Sequence, residues 1–129
     1  MFARHVAVKL RPGTLAEFTR VMNDEILPWL REQKGFLDMI TLAVRGGREI
    51  VSISFWDHEE SAHVYNSTAY PEVLQTLRKT LSGTPQVKTF DVVSSTSQNV
   101  GPSKTSSTVR NRQPAPSDTT TAANPARRG

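Results

Sequence analysis

Two kinds of apolar spacing follow one another along residues 2–93, in an order that few folds accommodate. Phe2 to Leu10 alternates as a strand does. Phe2, Val6, Val8 and Leu10, with Arg4 in register, fall on one face, and Ala3, His5, Ala7 and Lys9 fall on the other. Pro12-Gly13 ends that strand. Thr14 and Glu17 have the spacing of a capping box. Leu15, Phe18, Met22, Ile26 and Trp29, with Val21 and Leu30 beside them, then make the stripe of a long helix. Pro28 inside that stripe predicts a kink or break, since proline has no N–H and its ring crowds the preceding turn. Gly35 predicts a left-handed cap at the helix end.

The second half repeats the alternation. Phe36–Val44 and Glu49–Trp56 read as strands joined by the turn Arg45-Gly46-Gly47-Arg48, a hairpin. Asp57 to Glu60 offers another capping box and opens a helix. That helix is interrupted at Tyr70-Pro71, because the residue before proline is pushed away from helical ψ. A further helical segment is expected from about Pro71 to Leu81, ended by Gly83, and a last strand from Gln86 to Val93. The order is βαββαβ. Short connections favour a ferredoxin-like α+β fold, with both helices on one face of a four-stranded antiparallel sheet. The other face is left bare, and a second copy of the chain is the simplest cover for it. A homodimer is therefore expected.

Composition sets the limit of this domain. From Ser94 onward there is no aromatic residue, and two valines are the only large apolar side chains. Such a segment cannot offset roughly 1–2 kcal/mol per residue of backbone ordering entropy. The sequence thus divides into a folded domain, residues 1–96, and a disordered basic tail, residues 97–129. The domain carries 11 Lys and Arg against 11 Asp and Glu, so the whole net charge of +4 lies in the tail. Five dispersed cations without interleaved aromatics make a poor nucleic-acid site, and no such partner is expected. With no cysteine, disulfides, thiolate metal sites and thiol nucleophiles are excluded. No apolar run approaches the ~20 residues that span a bilayer. MFARHVAVKL reads as a strand, not as a signal peptide. No membrane association and a cytoplasmic location are expected.

Candidate site residues come from the third strand. Val51, Ile53 and Phe55 suit packing against the helices, which would turn Ser52, Ser54 and Trp56 to the bare face, with His5 beside them. Small polar groups and one aromatic are a usual lining for a small-molecule pocket, and equally ordinary on a solvated sheet face. His58 and His63, five apart on a helix, diverge, so no metal site is expected. Glu59 and Glu60 lie four and three residues before His63, where a solvated contact explains that histidine as well as a pocket does.

The stretch FWDHEESAHVYNSTAY places Trp56, Glu60 and His63 as W-x3-E-x2-H, and Ser67 three residues before Tyr70. It resembles the segment linking the third strand to the second helix in antibiotic-biosynthesis-monooxygenase-like proteins. LPWLREQKGF and VKTFDVV resemble that family's first-helix end and last strand, so the likeness spans roughly residues 2–95. The resemblance implies a dimeric α/β barrel in which two sheets face each other. It also implies oxygenation of electron-rich aromatics or quinols without a cofactor, the deprotonated substrate itself reducing dioxygen. On that basis His63 would be the catalytic proton acceptor. Trp56, His5, Ser52, Ser54 and Tyr70 would bind a small aromatic substrate. Relatives that cleave haem carry a first-strand Asn, a helix Trp and a His ligand; this chain has no such Asn, and Tyr65 and Gln75 near the other positions. Haem chemistry is not expected. Two other functions remain compatible with the scaffold: a non-catalytic barrel for ligand binding or stress response, and a proton-transfer isomerase or cyclase.

Overall fold

The structure is a computed structural model and describes residues 1–97, Val100 and Gly101. Strand β1 (Phe2–Leu10) leads to helix α1 (Leu15–Val21), a π-helical segment (Met22–Ile26) and helix α2 (Leu27–Leu30). Strands β2 (Phe36–Ala43) and β3 (Glu49–Trp56) form the hairpin. Helices α3 (Glu59–Thr68) and α4 (Tyr70–Leu77) then lead to β4 (Leu81–Asp91). The sheet order is β2-β3-β1-β4, with every neighbouring pair antiparallel. This is the expected ferredoxin-like α+β arrangement.

Pro28 acts where the sequence places it, though not as a simple break. Without an N–H it cannot bond the Asp24 carbonyl, and the turn before it widens: the Leu27 N–H reaches back five residues to Met22 O. The backbone stays right-handed through this segment. Tyr70-Pro71 likewise divides α3 from α4, with Ala69 at the junction.

Three local expectations are corrected. Thr14 caps no helical N–H; its hydroxyl donates to Arg11 O at 2.7 Å, and Glu17 instead pairs with Arg20 at 2.8 Å. The second capping box is also absent, since Asp57 Oδ1 accepts from Ser61 Oγ at 2.7 Å. The final strand starts at Leu81, within the segment expected to be helical. Gly83 at φ 79° and Pro85 lie in an irregularity where Ser82 pairs with Lys9 and Gln86 with Ala7. A strand bulge absorbs both residues where a helix stop is expected.

The largest correction concerns the faces of the sheet. Phe2 pairs with Trp56, Arg4 with Ser54, and Val6 with Ser52. Partners in an antiparallel pair share a face. Ile50, Ser52, Ser54 and Trp56 therefore point with Phe2, Arg4, Val6 and Leu10 toward the helices, the reverse of the expectation. Val51, Ile53 and Phe55 point outward. His5, paired with Ile53, is outward too, and so is separated from Ser52, Ser54 and Trp56. The inner layer buries Phe2, Leu10, Phe18, Met22, Ile26, Leu30, Ile50, Trp56, Tyr65, Val73 and Leu77 in one core. On the outer face Ile40, Leu42 and Phe90 are about half exposed, at 49%, 52% and 51%. That face is more apolar than the sequence suggests.

Val100 is buried, at 6% exposure. Of the expected tail, residues 98–99 and 102–129 lie outside the described residues.

Gly35 joins the two halves of the domain. It adopts φ 83°, and its carbonyl accepts the Asp57 N–H at 2.9 Å. A Cβ at this position would collide with Ser61 Oγ and Asp57 Oδ1. Gly35→Ala is expected to destabilise the fold by at least about 1–3 kcal/mol, from the left-handed backbone and the collision together. Urea unfolding of both proteins measures this; equal midpoints would show that the turn relaxes freely.

Candidate functional site

Ser52 and Ser54 are small residues in the middle of the inner face, and their size decides what can sit above them. They leave room for Arg4 of β1 and for Tyr65 and Tyr70, which descend from α3 and the start of α4. All five line a cavity of about 50 Å³ between sheet and helices. Its remaining wall is apolar, with Val6, Val8, Met22, Met39 and Leu77 among the contributors. The space is about a third of the ~150 Å³ that accepts one benzene ring.

Arg4 is the unusual component. It is 3% exposed, and among the described residues no carboxylate forms an ion pair with it. Its guanidinium lies 3.9 Å from the centre of the Tyr70 ring and 5.3 Å from that of Tyr65. One Nη2 hydrogen goes to Asn66 Oδ1 at 2.7 Å. Stacking a desolvated cation on an aromatic face returns about 2 kcal/mol. Removing that cation from water costs several kcal/mol. A neutral amide and two rings therefore offset part of the cost without neutralising the charge.

Tyr70 completes the polar set. Its hydroxyl is buried and has no hydrogen-bond partner among the described residues. Tyr65 is buried at 5% exposure, and burial pushes its phenol up to about 12, against the opposing pull of the Arg4 charge. It is a proton donor at neutral pH, not a base. Among the described residues lining the cavity there is no histidine, aspartate or glutamate. No cluster of three or more metal-ligating side chains occurs among the described residues either.

The residues singled out from the sequence thus separate. Ser52, Ser54 and Tyr70 line the cavity. Trp56 does not. It is fully buried behind the cavity, its ring centre 5.5 Å from that of Phe36 and 5.0 Å from that of Tyr65, with Nε1 donating to Ser54 Oγ at 2.9 Å. It fixes the Ser54 hydroxyl and the Tyr65 ring. His5 lies on the outer sheet face, edge-on to Phe90, and its Nδ1 has no partner among the described residues. His63 is exposed on α3, with Nε2 3.5 Å from Glu59 Oε2 and its ring against Phe2. It does not reach the cavity, and the solvated contact with glutamate is the one the structure contains. Sequence reasoning noted Arg4 as in register with an apolar face and drew nothing from it. A long cation among four apolar partners is the signal that could have marked the site.

Fold and cavity together define a small α+β protein with a cation-bearing pocket between sheet and helices. Residues 1–90 match the family model for antibiotic biosynthesis monooxygenase, and the chain belongs to that family. None of the curated proteins matches it. Among solved structures it is similar to the monooxygenase from the gene ActVA-Orf6 of Streptomyces coelicolor, in complex with nanaomycin D. The two are 22% identical over 69% of this chain and 84% of that one, with a TM-score of 0.59. It is similar also to SnoaB, a cofactor-independent oxygenase from Streptomyces nogalater, at 18% identity over 74% and 95% and a TM-score of 0.62. A third, NE2512 of Nitrosomonas europaea, is a protein of unknown function, 17% identical over 73% and 90%, with a TM-score of 0.58. At such identities the likeness is one of fold.

The raised Tyr65 phenol has a thermodynamic consequence. Between the unfolded value near 10 and the folded value of about 12, the unfolded chain loses this proton and the folded one keeps it. The folded state then binds more protons, so stability falls as pH rises through that window and is unaffected by this group below it. Tyr65→Phe is expected to remove about 2 kcal/mol of the alkaline loss, at the ~1.4 kcal/mol per pKa unit of linkage. Urea unfolding at pH 9 and pH 11.5 measures it; an identical loss in both proteins would place the titration elsewhere.

Proposed function

We propose that this chain is a cofactor-independent monooxygenase of a small electron-rich aromatic or quinol-type substrate, and that Arg4 holds the substrate in its anionic form. The observation that carries this is the buried guanidinium without a carboxylate, beside an unpartnered Tyr70 hydroxyl. Family membership and the named activities of the similar structures support it. A phenolate or enolate on Arg4 supplies the missing counter-charge and accepts from Tyr70. The fixed cation lowers the substrate's pKa without a protein base. The anion then reduces dioxygen. For an anthrone-type ring the CH₂ becomes C=O: one oxygen atom is retained, and the other leaves as water with the two hydrogens. Apolar walls exclude water and so protect the reactive oxygen species between steps.

A homodimer belongs to the same reading. The outer face presents Ile40, Leu42, Val51, Ile53, Phe55 and Phe90, and a second copy packed sheet to sheet would cover them. One observation favours a second reading, a barrel that binds a ligand without catalysis: the cavity is smaller than a single ring requires. Against a proton-transfer isomerase stands the lack of any histidine, aspartate or glutamate among the described residues lining the cavity.

Dioxygen uptake by the full-length protein, with hydroquinones and anthrones and no added flavin, haem or metal, is the test. Uptake above autoxidation is expected. Arg4→Met should lower kcat/KM by about 10²–10³, the loss typical of one charge-stabilising donor. His63→Ala should leave it unchanged. With no histidine, aspartate or glutamate among the described residues lining the cavity, the rising limb of the pH profile should track the acidity of each substrate. No uptake across the panel from a folded protein would favour the non-catalytic barrel, and loss of activity in His63→Ala would return that histidine to the mechanism.

A further inference from the structure

The cavity is smaller than one aromatic ring requires, yet it is furnished with hydrogen-bond donors. At about 50 Å³ it has room for a few water-sized groups, since a single water needs roughly 10–15 Å³ of such space. Arg4, Ser54 and Tyr70 all line it. Arg4 spends a single hydrogen bond on Asn66 Oδ1, and its other N–H groups have no acceptor among the described residues. Ser54 Oγ already accepts the Trp56 indole N–H, so the proton it carries is left to donate. The buried Tyr70 hydroxyl has no partner among the described residues.

Charge and shape narrow what can satisfy these donors. Water would accept from Ser54 and Tyr70 but leave the guanidinium charge unbalanced. One cation, with no carboxylate among the described lining residues, matches one negative charge. A dianion would itself be left half-compensated away from water, which is costly. The Tyr70 ring covers the face of the guanidinium at 3.9 Å, so a ligand meets Arg4 at its N–H edge. There a planar oxyanion accepts two parallel hydrogen bonds in the guanidinium plane, the geometry that the fork of N–H groups matches. A ligand with a hydroxyl of its own finds no carboxylate or imidazole among the described lining residues to receive the proton.

We propose that Arg4, Ser54 and Tyr70 form a binding site for a small planar monovalent oxyanion, of the size of formate or nitrate. Its oxygens accept from the N–H edge of Arg4 and from the two hydroxyls. Trp56 is a positioning residue for this site, because its indole N–H occupies Ser54 Oγ and leaves that hydroxyl as a donor. A bound oxyanion takes up the charge that an anionic substrate needs, so it competes with substrate and makes the domain sensitive to small anions around it. That competition rests on the monooxygenase reading, whereas the binding does not. Asn66 offers a means of closing the site. It is exposed, and its Oδ1 lies 2.7 Å from Arg4 Nη2, so an aspartate there supplies an internal carboxylate without entering the core.

Calorimetric titration of the full-length protein, in a buffer free of other small anions, compares formate, nitrate, formamide and sulfate. We expect formate and nitrate to bind at least about tenfold more tightly than neutral formamide, the worth of a charge-assisted hydrogen bond. Sulfate should be weaker than either by a similar factor. Asn66→Asp should weaken formate at least about tenfold, with a urea midpoint no lower than that of the wild type. Tyr70→Phe should cost about three- to tenfold, the share of one neutral donor. Should Tyr70→Phe fail to fold, Asn66→Asp and the wild-type comparison of formate with formamide decide the matter. Failure of formate and nitrate to bind overturns the proposal and leaves water as the occupant. Equal affinity for formate and formamide, or for formate and sulfate, also overturns it, as does formate binding that Asn66→Asp leaves intact. On the dioxygen-uptake panel, formate should raise KM and leave kcat unchanged. Formate binding that Asn66→Asp removes, without uptake on any substrate, would sustain the anion site and remove the oxygenase reading alone.

Discussion

The β1–β3 register governs what each face of this sheet can be. Pairing Arg4 with Ser54 and Val6 with Ser52 puts two small hydroxyl side chains under the helices and the bulkier Val51, Ile53 and Phe55 outside. A shift of one residue would exchange the sets. The inner layer would then be filled by branched and aromatic side chains, and no room would remain for a stacked guanidinium. The cavity is thus a consequence of strand pairing, before any helix is placed. Trp56 at the end of β3 holds the arrangement: it fills the space beside the short serines and ties Ser54 Oγ through its indole N–H.

The same register explains why the elements were legible in the sequence and the faces were not. Strand alternation, the hairpin glycines, Gly35 and the proline interruptions are local signals, and each acts within a turn of where it stands. Face assignment is not local. Judged alone, Val51, Ile53 and Phe55 are the obvious core set, because burial of branched side chains is the usual driving force. In this protein both faces are apolar, so hydrophobicity cannot choose between them, and the pairing with Phe2, Val6 and Leu10 decides. The capping boxes failed for a related reason. Thr14 has carbonyls of Arg11 and Thr80 within reach, and Asp57 has Ser61. Tertiary neighbours override the local spacing. His63 stands out by residue type within a motif, yet the α3 positions that turn inward are Ala62 and Tyr65, with His63 between them facing water.

Arg4 also shows how a site can be at odds with the fold that carries it. A hydrophobic residue at this position of β1 would continue the run of Phe2, Val6 and Val8 and would remove the desolvation cost of the guanidinium. The chain instead surrounds the cation with two tyrosine rings and one exposed asparagine, partners that soften the cost without neutralising the charge. A carboxylate in place of Asn66 would satisfy the cation and leave it unable to attract a ligand anion. If Arg4 binds an anion as proposed, stability and affinity pull in opposite directions at one residue, and neutral partners are the compromise that preserves the second.

The absence of a titrating base among the described cavity-lining residues gives that compromise a chemical meaning. An enzyme that removes a proton needs an acceptor whose pKa lies near the working pH. Here Tyr65 is held protonated by the burial that shapes the pocket. A fixed positive charge can instead shift the substrate's own equilibrium. Selection of an anion already formed in solution requires no proton path through the wall. On the proposed reading it would also restrict the chemistry to molecules acidic enough to ionise beside a guanidinium and electron-rich enough to reduce dioxygen. In the site so proposed the substrate would supply the reactivity and the protein the field.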